Sequence, residues 1–378
     1  MKIGYLSTFY PYRGGIAQYN ARLFRAFEKN HEVKAFNFSR QYPEILFPGS
    51  TQLVTPGDKV DEIPNRQVLD SINPFSWYSA ANKINRFQPA ILVEKFWMSF
   101  FGPSLGTVNR KTHKKGVINI AILDNVIPHE RRFYDKAFTQ YYLNSTDGFI
   151  VMSETVKRDL LSLKPDAKYV MHPHPVYDHF GEKLPVRQAR EKLNIPADRR
   201  VLLFFGLIRN YKGLDLLLNA LANLPGNYHL IVAGEPYGGF DSYQRIIDEN
   251  HLSNRLTLLT RYINDDEVPA IFSASDVCIL PYRSATQSGI MYTAYHFETP
   301  LIVTDVGSLR ELVAPFGTGS IVSRPDAVLI TEAIKDFYNS GDGQNHKENI
   351  REFKSQFSWD NLADKIVELG ESILERKS

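Results

Sequence analysis

The sequence has a single cysteine and no long uninterrupted hydrophobic run. Cys278 alone cannot form an intramolecular disulfide, which favours a reducing, cytoplasmic location. No apolar run approaches the roughly 20 residues that a helix needs to span a bilayer. Residues 1–15 lack the extended apolar segment of a signal peptide, and their apolar residues alternate as in a first strand. These absences argue against a secreted or membrane-spanning protein.

The chain also has little excess charge of either sign. It contains 44 Lys and Arg against 42 Asp and Glu, which leaves a net charge of +2. Nucleic-acid-binding proteins usually carry a strongly basic face, so this balance argues against a nucleic-acid partner. With 378 residues, 43% of them hydrophobic and 23% charged, the composition is that of a globular protein with two or three domains.

The first half of the chain alternates between strand and helix patterns. Residues 2–7 predict a first strand, Gly14 and Gly15 follow in the loop, and an apolar helical stripe begins at Ile16. Two adjacent glycines at a strand-to-helix junction let a ligand approach the backbone closely, although the spacing is not GxGxxG. Residues 40–75 are rich in proline, glycine and polar residues, and we interpret them as a long surface excursion.

An aromatic cluster and a basic run follow within residues 96–115. Residues 96–101 are FWMSFF and residues 110–115 are RKTHKK. Together they could contact an anionic membrane surface, which would place the protein peripherally at the inner face of a membrane. The alternative, which we favour, is a core-facing segment followed by the solvated end of a helix.

Polar residues follow the strand that is predicted at residues 117–123. Asp124 and His129 come after its carboxyl end, where ligands bind in open α/β sheets. A lone histidine is about as often a helix cap as a functional group. Residues 172–175 (HPHP) hold two more histidines, but no nearby cysteine or carboxylate cluster completes a metal site. Residues 173–196 are interpreted as an interdomain linker.

A second α/β series starts after this segment, with predicted strands at 201–205, 228–233, 255–259, 277–280 and 301–303. Residues 206–213 join the first of these strands to its helix and contain Arg209 and Lys212. Two cations three positions apart at a strand-to-helix junction can bind a diphosphate, with help from the helix dipole. The alternative is a pair of surface charges.

The stretch 276–313 reads as strand, loop, helix, strand, loop, helix. Small residues fill the loop 284–289, just before a predicted helix N-terminus. Such a loop leaves backbone N–H groups free and suits a phosphate, although an ordinary α/β loop is the alternative. Because Ser288 and Gly289 would meet the same crevice as Lys212, the phosphate interpretation is favoured.

The ordered series of motifs resembles glycosyltransferase family 4, a retaining group with the GT-B fold. The resemblance covers nearly the whole chain. It rests on the Gly14-Gly15-Ile16 turn, residues 124–130, Met152-Ser153-Glu154, residues 206–213, residues 281–289, residues 299–307 and the final helix at Trp359.

The resemblance implies an α/β protein with two facing Rossmann-like domains. These are an N-terminal acceptor-side domain at residues 1–180 and a C-terminal nucleotide-sugar-binding domain at residues 181–356. Residues 357–378 would form a helix that crosses back to the N-terminal domain. A nucleoside-diphosphate sugar would bind without a metal or other cofactor, because protein cations and helix dipoles neutralise the departing diphosphate.

The resemblance also implies roles for individual residues. Arg209 and Lys212 would stabilise the charge on the β-phosphate, and Asp124 or His129 would orient the acceptor or the sugar. Backbone groups near Arg261, Tyr262 and Ile263 would lie beside the base. The other donor-binding positions that it implies are Gly14, Gly15, Gly206, Gln287, Ser288, Gly289, Ile290 and Thr293.

The sequence departs from the family pattern within this site. The family commonly carries two glutamates eight positions apart, where this chain has Ala285 and Thr293. Gln287, Ser288 and Thr293 would replace the carboxylates with neutral hydrogen bonds, which are weaker than charge-assisted ones. A histidine also often stands where this chain has Asp124.

The sequence therefore predicts a retaining transfer of sugar from a nucleoside-diphosphate sugar to a hydroxyl acceptor. The acceptor would be a glycan or lipid-linked glycan in surface or capsular polysaccharide assembly. One alternative is a sugar-nucleotide epimerase of the same fold. Another is a catalytically silent binding module, which the missing glutamate pair favours and the presence of Arg209 and Lys212 disfavours.

Overall fold

The computed structural model describes residues 1–43, 52–54, 61–127, 132–176, 180–285 and 288–376. The chain forms two compact units, which are described separately. The first unit comprises Met1–Pro173 together with Ser358–Ser378, and the second unit comprises His174–Phe357.

The first unit is built around a parallel sheet. Its strands are β1 (Lys2–Leu6), β2 (Glu32–Arg40), β3 (Asn65–Asp70), β4 (Ile91–Phe96), β5 (Ile118–Leu123), β6 (Gly148–Val151) and β7 (Tyr169–Met171). Over the described residues the strands lie in the order β3-β2-β1-β4-β5-β6-β7. Every residue of β4 and β5 is buried, as expected for the central strands of a parallel sheet with both faces covered.

Helices cover this sheet because their apolar stripes need a partner. They are α1 (Gly15–Glu28), α2 (Pro74–Phe87), α3 (Gly102–His113), α4 (Asp135–Leu143) and α5 (Glu154–Leu163). On α1, Tyr19, Leu23 and Phe27 are buried against the sheet. Ser153 is the N-cap of α5, since its Oγ accepts a hydrogen bond from the Val156 N–H at 3.3 Å.

The last helix of the chain belongs to the first unit. This helix, α14 (Trp359–Glu375), packs on the sheet through Leu362, Ile366 and Ile373. Gly370 allows the close approach, because a Cβ there would lie 2.3 Å from the Ile91 side chain. The prediction of a C-terminal helix that returns to the N-terminal domain is confirmed.

The second unit contains another parallel sheet. Its strands are β8 (Arg200–Phe205), β9 (Tyr228–Ala233), β10 (Leu256–Leu259), β11 (Val277–Leu280), β12 (Leu301–Thr304) and β13 (Gly319–Val322). Their order over the described residues is β10-β9-β8-β11-β12-β13. The chain order reverses between β8 and β11, and ligands of open α/β sheets bind outside the carboxyl ends of the strands at such a switch point.

The helices of the second unit alternate with these strands. They are α6 (Val186–Lys192), α7 (Leu214–Ala222), α8 (Asp241–Glu249), α9 (Val268–Ala274), α10 (Gly289–His296), α11 (Leu309–Val313), α12 (Ala327–Ser340) and α13 (Gly343–Gln356). Helices on both faces bury β9, β11 and β12, and Cys278 on β11 is fully buried.

Two interpretations of the sequence were wrong in part. Residues 40–75 contain β3 and the start of α2, and β3 is mostly polar because it is an edge strand. The segment 173–196 is not only a linker, since α6 lies within it. Arg190 of α6 is buried, where it donates to the Ala274 carbonyl at 3.1 Å and pairs with Asp276 at 2.9 Å.

The boundary between the units also lies earlier than predicted, at 173–174 rather than 180–181. His172 N donates to the Val151 carbonyl at 2.9 Å, in the first unit, whereas Val176 already packs in the core of the second. Residues 96–101 have the core-facing role that we favoured, because Phe96 and Phe101 are fully buried.

Within the described part of the chain, no helix is both long enough and apolar enough to cross a bilayer. The same residues contain no group of three or more His, Cys, Asp or Glu side chains that could hold a metal ion.

A buried acid lies in the centre of the first unit. Glu94 on β4 is 1% exposed, and its Oε2 accepts hydrogen bonds at 3.0 Å from Asn109 Nδ2 and from the Tyr142 hydroxyl. Burial raises the pKa of Glu94 to about 8. The folded protein therefore holds this carboxyl group protonated at neutral pH.

The substitution Glu94→Gln tests this protonation. The pKa of Glu94 rises from 4.5 to about 8 on folding, so unfolding releases a proton between these pH values. The Glu94 titration should then contribute a slope of on the order of −1 kcal/mol per pH unit to the free energy of unfolding across this window. Glu94→Gln should remove that slope, whereas the exposed Glu332→Gln should keep it. Urea unfolding from about pH 5 to about pH 9 measures the slope, and equal slopes in all three proteins would contradict the prediction.

Candidate functional site

The loops after β8 and β11 line a cavity of about 510 Å³ at the switch point of the second sheet. The first loop contributes one wall, and the second loop contributes the other wall together with the start of α10. The lining residues are Tyr211, Lys212, Tyr282, Ser284, Ala285, Ser288, Gly289 and Ile290.

Two glycines shape the wall that follows β8. Gly213 has φ +69°, and a Cβ there would lie 2.0 Å from the Pro281 carbonyl oxygen, so no other residue fits between the loops. Gly206 has φ +95°, and a Cβ there would lie 3.1 Å from Lys212 Nζ. The second glycine thus leaves room for the lysine ammonium group.

Lys212 is a buried cation at the end of a 3₁₀ turn, Asn210–Lys212. Its side chain is 8% exposed, and the ring centroid of Tyr282 lies 5.7 Å from Nζ. Burial and the nearby Arg209 guanidinium lower the pKa of Lys212 to about 8. Within the residues that the structure describes, Lys212 has no carboxylate within ion-pair distance. A bound anion would supply the missing negative charge.

Arg209 lies beside Lys212 and is held by stacking. Its guanidinium carbon is 4.3 Å from the ring centroid of Tyr237, in the loop after β9. That loop runs along the loop after β8, since Tyr237 N donates to the Ile208 carbonyl at 2.9 Å. Arg209 Nε is buried and has no hydrogen-bond partner among the described residues. Two neighbouring cations therefore lie in the same loop.

The N-terminus of α10 forms the opposite wall. Ser288 is buried at the N-cap position, and its Oγ lies 3.3 Å from the Tyr282 hydroxyl instead of capping its own helix. A Cβ on Gly289 would meet nothing within 4 Å, so the first turn is open. The free N–H groups and the dipole of α10 add positive potential to the cavity.

The structure therefore brings together six of the predicted residues, namely Gly206, Arg209, Lys212, Ser288, Gly289 and Ile290. Sequence reasoning missed the two tyrosines of the lining, Tyr211 and Tyr282. Tyr211 directly precedes Lys212, and Tyr282 follows the end of the predicted strand 277–280 by two positions. Those positions were the available signal.

Other predicted residues of the second unit lie outside this cavity. Arg261 pairs with Glu267 at 2.5 Å, Tyr262 is 68% exposed, and Ile263 packs against the core, all in the loop after β10. Thr293 is buried, and its hydroxyl donates to the Gly289 carbonyl at 3.4 Å. Gln287 lies outside the described residues.

The predicted residues of the first unit lie at the carboxyl ends of its strands. Gly14 has φ +103°, Gly15 begins α1, and a Cβ on either would meet nothing within 4 Å. Asp124 follows β5, and its Oδ1 accepts a hydrogen bond from Lys95 Nζ at 2.6 Å. His129 lies outside the described residues.

Lys95 is a residue that sequence reasoning missed. It is buried on β4, with its side chain 3% exposed and its Nζ 3.5 Å from the ring centroid of Tyr19. Burial lowers the pKa of Lys95, and the Asp124 carboxylate opposes that shift. Two adjacent ionisable residues inside the otherwise apolar strand sequence ILVEKF were the available signal, because a buried lysine needs a partner. Lys95 fixes the position of the Asp124 carboxylate.

Comparison with known proteins finds a family similarity in the second unit. Residues 185–357 match the sequence profile of the family described as glycosyl transferases group 1. The matched segment lies entirely within the second unit, so the second unit is similar to that family. The D-inositol 3-phosphate glycosyltransferases of Mycobacterium tuberculosis and Mycobacterium bovis are 30% identical over 240 residues, which are 60% of this chain and 49% of theirs. The chain thus spans about half the length of the curated relatives it matches.

Solved structures of glycosyltransferases share the fold. An Anabaena protein, HepE, in complex with UDP has a TM-score of 0.71 at 14% identity, over 98% of this chain and 100% of that one. A glycosyltransferase from Rickettsia africae has a TM-score of 0.71 at 16% identity, over 98% of each chain. A sucrose-phosphate synthase from Thermosynechococcus elongatus has a TM-score of 0.66 at 18% identity over the whole of both chains. The predicted GT-B fold class is confirmed.

The close approach at Gly213 predicts a specific sensitivity to substitution. Gly213→Ala would place a methyl group against the Pro281 carbonyl in a left-handed backbone, so it should destabilise the second unit by about 2 kcal/mol or more. Gly226→Ala is the matched control, because a Cβ there meets nothing within 4 Å. Urea unfolding of both variants measures the difference, and equal midpoints would contradict the proposed packing of the two loops.

Proposed function

We propose that this chain is a glycosyltransferase whose second unit binds the diphosphate of a nucleoside-diphosphate sugar in the cavity between the loops after β8 and β11. The observation that carries the proposal is the buried ammonium group of Lys212, which has no carboxylate partner among the described residues and faces the start of α10. Burying a cation is unfavourable unless an anion joins it. A diphosphate supplies that anion.

The proposed chemistry is electrostatic. When the bond between the sugar and the β-phosphate oxygen breaks, negative charge grows on the diphosphate. Lys212, Arg209 and the free N–H groups at the start of α10 would stabilise that charge before and during bond breaking. The phosphate would accept the proton of the attacking hydroxyl group. We therefore propose transfer without a metal ion or other cofactor.

Asp124 would act on the acceptor side of the reaction. Lys95 holds its carboxylate at the carboxyl end of β5, where it can accept a hydrogen bond from a hydroxyl group. We propose a hydroxyl acceptor, a retaining outcome and a role in surface or capsular glycan assembly on the basis of the resemblance to family 4. UDP-sugars are the first donors to test, because HepE was solved in complex with UDP and with UDP-glucose.

Two alternative functions can be distinguished from sugar transfer by their reaction products. A sugar-nucleotide epimerase would convert the donor without an acceptor and release no nucleoside diphosphate. A catalytically silent module would bind a nucleotide and never turn it over. Ala285 and Thr293, which stand at the usual glutamate positions, favour the silent module, whereas the uncompensated Lys212 favours diphosphate chemistry.

Thermal shift against UDP, GDP, ADP and their sugar conjugates, without metal, tests donor binding. A ligand present at 100 times its dissociation constant adds about 2.7 kcal/mol to the free energy of unfolding, which should raise the melting temperature.

Turnover with the stabilising donor tests the role of Lys212. Lys212→Ala should lower turnover on the order of 100-fold or more at saturating donor. The exposed Lys335→Ala is the matched control and should keep wild-type turnover. Near-normal turnover of Lys212→Ala at saturating donor would refute the proposed role.

We also propose a peripheral contact with anionic lipid, through the basic end of the segment 96–115 and the neighbouring surface of α2. Phe96 and Phe101 are buried, but the basic end of α3 lines a second cavity of about 380 Å³. Lys111 Nζ lies 4.7 Å from the ring centroid of Tyr78, and Phe75, one turn earlier on α2, is 87% exposed. Exposed aromatic side chains beside cations suit the headgroup layer of a membrane.

Sedimentation with vesicles of phosphatidylcholine, with and without phosphatidylglycerol, tests this contact. Replacing Lys111, Lys114 and Lys115 by glutamine should weaken binding to the anionic vesicles about fivefold per cation, or on the order of 100-fold in total. The matched control replaces three exposed cations of the second unit, Lys192, Arg245 and Lys335, by glutamine. Equal recovery of all proteins in the supernatant, or equal losses in both variants, would rule out the contact.

A further inference from the structure

Arg283, in the loop after β11, makes an unusual number of contacts to the loop after β8. Its backbone N–H donates to the Tyr211 carbonyl at 2.7 Å, and its Nη1 donates to the Asn210 carbonyl at 2.9 Å. Nη1 and Nη2 also donate to the two carboxylate oxygens of Asp215 at 2.9 and 2.5 Å. One residue thus bonds to the 3₁₀ turn of Lys212 and to the helix that follows it.

The geometry of these contacts matters more than their electrostatic energy. The side chains of Arg283 and Asp215 are 35% and 28% exposed, and ion pairs at such exposure contribute little to stability. The two terminal nitrogens of the Arg283 guanidinium group form a fork that binds both oxygens of the Asp215 carboxylate. This fork fixes the orientation of the two side chains relative to each other. Asp215 is the second residue of α7, which begins directly after Gly213. Arg283 therefore contacts the chain on both sides of Lys212, at the 3₁₀ turn before it and at α7 after it.

We propose that Arg283 and Asp215 are positioning residues for the diphosphate site, which hold the turn carrying Lys212 against the loop after β11. The inference rests on the proposed function for its role in donor binding. Neither side chain lines the cavity, so both act through Lys212. Without the fork, the turn can move away from Pro281, and the Lys212 ammonium group gains water and loses its fixed distance to α10.

Donor affinity is the first readout. Calorimetry with UDP, GDP and ADP, and with the sugar conjugate of the nucleotide that binds wild type, gives the dissociation constant. Arg283→Ala should weaken binding about tenfold or more, because the displaced Lys212 would lose its charge-assisted contact with the diphosphate. Arg283→Lys, which keeps a cation but not the fork, should lie between Arg283→Ala and wild type.

A matched control exists in the same unit. Arg310 pairs with Asp305 at 3.0 Å in the segment after β12, and neither residue is among those that line the cavity. Arg310→Ala removes a comparable exposed ion pair and should change the affinity less than twofold. Equal affinities of Arg283→Ala and wild type, or equal losses in Arg283→Ala and Arg310→Ala, would overturn the inference.

The second readout needs no nucleotide. The rate of acylation of Lys212 in the free protein, followed by mass spectrometry across pH, reports the pKa of its amine. Wild type should show a midpoint of about 8, and Arg283→Ala should shift it towards the ordinary value of 10.5, because the ammonium group becomes hydrated. An unchanged midpoint would overturn the inference.

The two readouts separate this inference from the proposed function. If wild type binds no nucleotide, the proposed function fails, and the acylation profile still decides whether Arg283 holds the turn. If Arg283→Ala does not fold, Asp215→Asn serves in its place, since it keeps the side-chain shape and removes the charge. That variant should shift both readouts in the same direction, and wild-type values for it would overturn the inference.

Discussion

The close approach of the loops after β8 and β11 is the constraint on which the candidate site depends. Gly213 makes it possible, because any side chain there would meet the Pro281 carbonyl. Arg283 reinforces it with bonds to the turn and to Asp215. As a result, Lys212 and the N-terminus of α10 face one cavity, although they lie far apart in the chain.

Two buried lysines in this protein show opposite solutions to the cost of burying a charge. Lys95 in the first unit has a resident partner, the Asp124 carboxylate at 2.6 Å. Lys212 in the second unit has no carboxylate within ion-pair distance in the described residues, and burial lowers its pKa to about 8. The first arrangement orients a carboxylate, whereas the second leaves an unfavourable charge that an anionic ligand would relieve.

The other residues that line the cavity are neutral. The Oγ of Ser288, at the start of α10, lies 3.3 Å from the hydroxyl oxygen of Tyr282 in the loop after β11, and Ala285 adds no charge. Thr293, at the second position where the family often has glutamate, is directed into its own helix. The positive charge of the site therefore comes from the loop after β8 and from the N-terminus of α10, and Ser288 and Tyr282 supply hydroxyl groups.

The sequence by itself determined the α/β class, most central strands and α14, because buried parallel strands are continuous apolar runs and helices carry an apolar stripe. It also indicated Lys212 and the start of α10 through their position after strands. The polar edge strand β3 and the short α6 escaped detection, since neither has a clear periodic pattern. Only the tertiary structure decided the Arg283–Asp215 and Lys95–Asp124 pairs, because partners 68 and 29 positions apart leave no local pattern in the sequence.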